Sequence, residues 1–259
     1  MSETIVVKIG GSTLGRHDTT LDDVVALRQQ GLRPVVVHGG GAMVSLWMEK
    51  LGLPARFVRG LRVTNSETLD VAVAVLAGLV NKQLVAALAA KGAQACGMSG
   101  ADSGLLRAAP VDRELGLVGE IRDVQTGSIL ALLETGVIPM IAPIALNWQA
   151  DTTDGQLLNV NADAVAGAIA AALAAHWLVF LTDVPGILNA EGRLLESVST
   201  EEGAALLETS VVTAGMIPKV QACLEAGAAG VRCLIIDGRE PHSLLAAVSR
   251  SPVGTVVGS

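Results

Sequence analysis

Tyrosine is absent from this chain, and phenylalanine occurs twice and tryptophan three times among 259 residues. Proteins that hold single-stranded nucleic acid stack bases on aromatic side chains, so this scarcity argues against such a role. The formal net charge of −7 points the same way, because nucleic-acid binders carry a basic face. Cysteine is scarce too. Cys96, Cys223 and Cys233 are odd in number, lack Cys-x-x-Cys spacing and sit among apolar or small neighbours, which reads as buried thiols rather than a disulfide framework or metal site. The opening MSETIVV has no basic segment followed by an apolar one, so no signal peptide is read. The apolar run from 164 to 181 has membrane length, but it is alanine-rich, contains His176 and reads as a helix, Ala164 to Ala175, feeding a strand, Trp177 to Leu181. The expectation is a soluble, cytoplasmic protein with no membrane or nucleic-acid partner.

Two common phosphate-binding fingerprints are also missing. Neither G-x-G-x-x-G nor G-x-x-x-x-G-K-[ST] is present at the glycine turns, which excludes the usual dinucleotide and P-loop signatures. What is present instead is a pair of strand-to-glycine junctions, VVKIGGSTLG at 6 to 15 and VHGGGA at 37 to 42. Three adjacent glycines cost conformational entropy. A bare strand–glycine–helix junction repays that cost when peptide N–H groups and a helix N-terminus face an anion. With so few cations in an acidic chain, any anionic ligand must be met by a few placed ones.

About half of the residues are hydrophobic, enough for one large domain or two lobes. Apolar runs at 4 to 9, 34 to 37, 93 to 98, 137 to 144, 177 to 181 and 231 to 236 alternate with helix-like segments near 19 to 30, 42 to 51, 66 to 91, 200 to 208 and 215 to 227. A last helix and strand close the chain. Such alternation predicts an α/β fold around a mainly parallel sheet. GLLRAAPVD and GLVGEIRDV, within 104 to 124, read as hairpin strands projecting from it, and a lobe boundary is expected near residue 175.

Further stretches resist a purely structural explanation. GLRVT at 60 to 64 sets Arg62 among apolar neighbours, where a guanidinium needs an anionic partner, either a structural salt bridge or a ligand. NVNAD places Asn159, Asn161 and Asp163 at a helix entrance; capping explains one of the last two but not all three. TDVPGI at 182 to 187 is a strand breaking into a Pro-Gly loop, and GMIPK presents Lys219 early in a helix, where the dipole repels a cation unless an anion lies between them.

Taken in order, KIGG, VHGGG, GLRVT, NVNAD, TDVPGI and GMIPK resemble the motifs of the amino acid kinase family from end to end. The resemblance implies a three-layer αβα sandwich with a mainly parallel central sheet and two lobes. Residues 1–175 would bind the amino acid and dimerise, and 176–259 would bind ATP. The implied activity is ATP-dependent phosphorylation of the side-chain carboxylate of N-acetyl-L-glutamate, with Mg2+ arriving on ATP and no separate metal site on the protein. Lys8 and Lys219 look like the pair that stabilises the transferring phosphoryl group, and Asp163 like the carboxylate that positions both. Gly10, Gly11, Gly40 and Gly41 resemble turns whose N–H groups touch the phosphate and the attacking carboxylate; Arg62 and Asn159 match amino acid binding positions. Thr182, Asp183, Val184, Pro185, Gly186 and Ile187, with Val211, Val212 and Thr213, resemble the nucleotide-binding surface. Ala214 departs from the glycine or aspartate common in relatives.

Only Met1, Ser2 and Glu3 precede the first strand-like run, whereas arginine-inhibited members resemble rings of dimers joined by an extra N-terminal helix. The expectation is a homodimer without arginine inhibition. A kinase for another acidic amino acid, such as an aminoadipate, and a non-catalytic sensor on the same fold are the competing readings.

Overall fold

A computed structural model describes residues 3–10, 19–149, 156–208, 215–249 and 254–258. The first strand, β1 (Thr4–Ile9), is followed by α1 (Thr20–Gln29), β2 (Arg33–His38) and α2 (Gly41–Lys50). A short hairpin, β3 (Phe57–Val58) and β4 (Leu61–Arg62), precedes α3 (Ser66–Val73). Asn65 caps α3 by accepting the Thr68 N–H at 2.8 Å. The helix then widens into a π-helical stretch, Ala74–Val80, before α4 (Asn81–Ala90). Next come β5 (Ala95–Ser99), β6 (Leu106–Pro110), β7 (Val118–Val124), α5 (Gly127–Glu134), β8 (Ile138–Ala142), β9 (Ile144–Asn147), β10 (Leu157–Val160) and α6 (Ala162–Ala172). The last part holds β11 (Trp177–Thr182), β12 (Ser197–Val198), α7 (Thr200–Glu208), α8 (Ile217–Ala228), β13 (Arg232–Asp237), α9 (Ser243–Val248) and β14 (Thr255–Val257).

The chain forms two compact units, Met1–Val36 with Ala166–Ser259, and Val37–Val165. This division differs from the boundary expected near residue 175. The reason is strand pairing: β1 lies parallel to β11, from Ile5 opposite Trp177 to Ile9 opposite Leu181, so the N-terminal strand belongs with the C-terminal ones. In this first unit β11 is also parallel to β13, while β14 runs antiparallel to β13 and carries β12 at the edge. Ile5, Val6, Val7 and Ile9 are wholly buried, as are Leu178, Val179, Phe180 and Leu181. Continuous burial, rather than alternation, is the mark of a parallel strand covered on both faces. Each such side chain contributes about 1.5–3 kcal/mol by leaving water.

In the second unit β5 and β8 pair in parallel. The expected hairpin of β6 and β7 is present and antiparallel, but it does not project freely. β6 pairs in parallel with β9 and β7 with β10, and β9 and β10 pair with each other, so the four strands close into a small barrel. Pro143 separates β8 from β9, dividing the single apolar run read at 137 to 144.

The stretch from Ser66 to Ala90 is apolar and long enough to cross a membrane. Its Leu69, Val71, Ala72, Val75, Leu76, Leu84 and Leu88 are buried, and Asn81 hydrogen-bonds to the backbone of β5 and β8, the placement of a core helix. The run from 164 to 181 divides into α6 and β11 as expected.

Candidate active site

In the second unit the VHGGG turn joins the end of β2 to the first residue of α2. Gly40 takes φ +151 at the N-cap position, a conformation that disfavours L side chains, and a Cβ there would lie 2.7 Å from Cδ2 of Leu76. Gly41 is different, because a Cβ added to it would meet nothing within 4 Å. Packing therefore demands glycine at Gly40, whereas Gly41 faces open space at a helix N-terminus, where peptide N–H groups attract anions.

Arg62 reaches the same turn. It is only 9% exposed, and its guanidinium donates to the Gly41 carbonyl at 2.9 Å, to the Ser45 hydroxyl at 2.7 Å and to Sδ of Met48 at 3.3 Å. The Phe57 ring lies beneath it, 4.7 Å from centroid to Cζ, a cation–π arrangement. Among the described residues no carboxylate forms an ion pair with it, so the salt bridge open to it in the sequence is not found there. Burial pushes the guanidinium down from its ordinary value. A buried cation held only by neutral groups is costly, and an anionic ligand would repay that cost.

Thr64 ties Arg62 to Asn159. Wholly buried, it donates through its hydroxyl to the Arg62 carbonyl at 2.8 Å and accepts from Nδ2 of Asn159 at 3.3 Å. Its part went unread in the sequence, although it closes the GLRVT motif; a short buried hydroxyl beside a buried charge was the available signal. Asn159 sits on β10 opposite Val118 of β7, so the barrel holds it. Asn161 takes the capping role, accepting the N–H of Asp163 at 2.8 Å and of Ala164 at 3.2 Å. Asp163 is 5% exposed in the first turn of α6.

In the first unit Lys8 is buried on β1 opposite Phe180, and Gly10 follows the end of that strand. Thr182 ends β11 opposite Asp237 of β13. These positions lie at the carboxyl ends of adjacent parallel strands, where open α/β sheets bind ligands. Between Thr182 and Leu188, Asp183, Val184 and Pro185 keep exposed surface, while Gly186 and Ile187 are buried and the Ile187 N–H donates to Thr255 Oγ1 at 2.8 Å. Asp237, beside this loop, accepts three bonds from Arg239, at 3.0 Å from its backbone N–H and at 2.9 and 2.7 Å from its guanidinium. Lys219 is the third residue of α8, and its ammonium folds back over the helix start to the Gly215 carbonyl at 2.9 Å. Gly11, Val211, Val212, Thr213 and Ala214 lie outside the described residues.

Among the described residues no three His, Cys, Asp or Glu side chains converge as a metal-binding group. A divalent ion held chiefly by phosphate oxygens and water needs no such cage, so these residues are compatible with a metal that arrives on a nucleotide.

A bare glycine turn at the end of β2, lysines near the ends of parallel strands and helices, and a buried guanidinium with no ion pair to a described carboxylate belong to an α/β protein with a mainly parallel sheet. Residues 3–237 match the model of the amino acid kinase family. The chain belongs to that family. Acetylglutamate kinase of Dehalococcoides mccartyi is 46% identical over 98% of this chain and 93% of its own length. Among solved structures, smu.665 from Streptococcus mutans UA159 superposes with a TM-score of 0.84 at 30% identity, covering 100% of this chain and 99% of that one. N-acetylglutamate synthase from Neisseria gonorrhoeae, complexed with coenzyme A and N-acetyl-glutamate, gives 0.85 at 28% identity, over 99% of this chain and 59% of that one.

Proposed function

We propose that this protein catalyses ATP-dependent phosphorylation of the side-chain carboxylate of N-acetyl-L-glutamate, a step of arginine biosynthesis. The observation that carries the substrate reading is Arg62, buried beside the Gly41 turn, linked to Asn159 through Thr64 and without an ion pair to a described carboxylate. A curated relative 46% identical bears the name acetylglutamate kinase, and a solved relative was crystallised with N-acetyl-glutamate.

The nucleophile is the substrate's own carboxylate, whose ordinary pKa of about 4.3 leaves it ionised at neutral pH. No general base is needed. One carboxylate oxygen forms a bond to the γ-phosphorus while the bond from that phosphorus to the β–γ bridging oxygen breaks. ADP leaves with the electron pair, and N-acetyl-L-glutamyl 5-phosphate is the product. The obstacle is electrostatic, since an anion must approach a polyanion, and positioned donors and cations are the remedy in phosphoryl transfer.

Lys8 and Lys219 are assigned to the transferring group, Asp163 to positioning both lysines, and the N–H groups of Gly10, Gly11, Gly40 and Gly41 to the phosphate and carboxylate oxygens. Arg62 and Asn159 hold the amino acid. Thr182 to Ile187 with Val211 to Thr213 take the nucleotide; in the first of these segments the exposed Asp183 and Pro185 and the half-buried Val184 are the positions open to contact it. Mg2+ bound to ATP supplies charge neutralisation on the phosphates. The enzyme is assigned to the cytoplasm as a homodimer, the commonest closed assembly.

The deciding assay compares ATP consumption with N-acetylglutamate, glutamate, aspartate and aminoadipate. Turnover is expected with N-acetylglutamate in clear excess over the rest. Preference for aminoadipate would replace the substrate assignment, and ligand binding without turnover would identify a sensor.

A further inference from the structure

Behind the VHGGG turn lies a buried polar cluster that the reaction above does not use. His38, at the end of β2, is 1% exposed, and Asn81, the first residue of α4 after the π-helical stretch, is wholly buried. Nδ2 of Asn81 lies 2.9 Å from the Met140 carbonyl, 3.4 Å from that of Met98 and 3.1 Å from Nε2 of His38. Its Oδ1 accepts from the Lys82 ammonium at 3.0 Å, and that ammonium also donates to the Gly97 carbonyl at 2.8 Å. Nδ1 of His38 lies 2.8 Å from the Gly39 carbonyl. Gly97 makes room for the cluster, since a Cβ there would fall 1.9 Å from Oδ1 of Asn81.

These contacts permit one consistent set of protons. The Asn81 amide cannot be flipped, because its oxygen would then face the Met140 carbonyl and its nitrogen the Lys82 ammonium. Its two N–H groups take the two nearer of the three acceptors, the Met140 carbonyl and Nε2 of His38, which must be bare. The ring proton then resides on Nδ1 and is donated to the Gly39 carbonyl. Burial, the largest influence, pushes the imidazole below its ordinary value, the Lys82 charge adds to that effect, and the Gly39 bond opposes it.

In a planar trans peptide, C=O and N–H point in opposite directions, and no described peptide bond is cis. Anchoring the Gly39 oxygen at the imidazole therefore turns the Gly40 N–H away from it. The donors also run in a single direction, from ammonium to amide to imidazole to peptide, so each bond polarises the next.

We infer that Lys82, Asn81 and His38 form a hydrogen-bond relay that sets the direction and polarity of the Gly39–Gly40 peptide, with His38 a positioning residue for the Gly40 N–H that meets the reacting anion. The identity of that anion rests on the function proposed above, but the relay itself does not. A cluster serving only to join strands to a helix would need neither a fixed tautomer nor a common donor direction.

The test has two arms. In protein labelled with 15N-histidine at neutral pH, His38 is expected to show a protonated Nδ1 and a bare Nε2, and Lys82→Met to shift the Gly40 amide resonance toward weaker polarisation. A protonated Nε2, or an unmoved Gly40 resonance, would overturn the relay whatever the protein's activity. In the second arm, His38→Gln keeps an acceptor for Asn81 but offers no donor at Gly39, whereas His38→Asn keeps a donor near the position of Nδ1. Because misplacing one backbone donor removes part of its transition-state stabilisation, kcat in His38→Gln should fall by about tenfold or more. KM for ATP should be unchanged, and His38→Asn should recover much of the loss. The opposite order, or losses that follow folded stability alone, would overturn the positioning role. Absence of phosphoryl transfer by the wild-type protein would instead count against the proposed function, leaving the labelling arm to decide the relay.

Discussion

Nδ2 of Asn159 donates to the Thr64 hydroxyl at 3.3 Å across 95 residues of sequence, and the same hydroxyl donates to the carbonyl of Arg62. A barrel strand and a hairpin strand are thus joined by one oxygen atom, beside a guanidinium that is itself fastened to the Gly41 turn.

Arg62→Ala is expected to raise KM for the amino acid while leaving ATP affinity nearly unchanged. Hydrogen bonds to a charged group contribute about 1.5–3 kcal/mol each, so the loss of affinity should be roughly tenfold to a few hundredfold. Thr64→Val should act in the same direction but more weakly, because it disturbs the guanidinium through its backbone. Calorimetry with each ligand separately reads the pattern; a selective loss of ATP binding would sink the assignment.

The two glycines should separate stability from activity. Gly41→Ala adds a methyl group where nothing lies within 4 Å, and alanine is the better helix former, so the melting temperature should hold while turnover drops. Gly40→Ala must adopt φ +151 close to Leu76, a strain of about 1–3 kcal/mol, and should unfold at lower temperature. Equal melting temperatures for both variants would contradict the turn geometry.

Lys8→Ala and Lys219→Ala should each lower kcat far more than they raise KM, since the proposed mechanism has both cations act on the transition state. A loss on the order of 10² or more is expected by comparison with removal of other electrostatic stabilisers. Near-normal turnover in either variant would remove that lysine from the mechanism.

Stability should decline as the pH drops below about 6.5, the ordinary histidine value. Native His38 is held below that value by burial, so in this range the unfolded chain binds a proton that the native ring declines, and protonation favours unfolding. The contribution is complete above 6.5 and is lost as pH falls toward the depressed native value. Burial pushes the Asp23 carboxyl upward, which acts in the opposite sense, so the comparison is between wild type and His38→Gln. Denaturant midpoints from pH 7.5 to 5 should fall more steeply for the wild type; parallel curves would show that His38 titrates freely.

The strands and turns that carry charge were the most legible parts of the sequence. TIVVKI is a strand over the range read from its apolar run, and Gly10 and VHGGG sit at strand ends because uninterrupted burial gives parallel strands a strong signal. The barrel was not legible. Its closure depends on β6 meeting β9 and β7 meeting β10, pairings between distant segments that leave no local periodicity. Thr64 and Asn81 were missed for a related reason, since each looks like an ordinary polar residue until its partners arrive from other strands. The π-helical stretch at Ala74–Val80 also left no mark, because it interrupts the apolar run only by geometry. Asn161 could be read as a helix cap because its partners are its own neighbours.

The pairing of β1 with β11 has a consequence for how the chain is made. Domains tend to fold as units while synthesis proceeds from the N-terminus; β2, on one side of β1, follows it closely in the chain, whereas β11, on its other side, emerges only after the whole of Val37–Val165 has been added. The segment that emerges in between contains every strand of its own barrel. It can therefore fold while β1, an apolar strand bearing Lys8, still lacks β11 along one of its two edges. During that interval one edge of the oldest strand stays open, and an open apolar edge is a template for pairing with other chains.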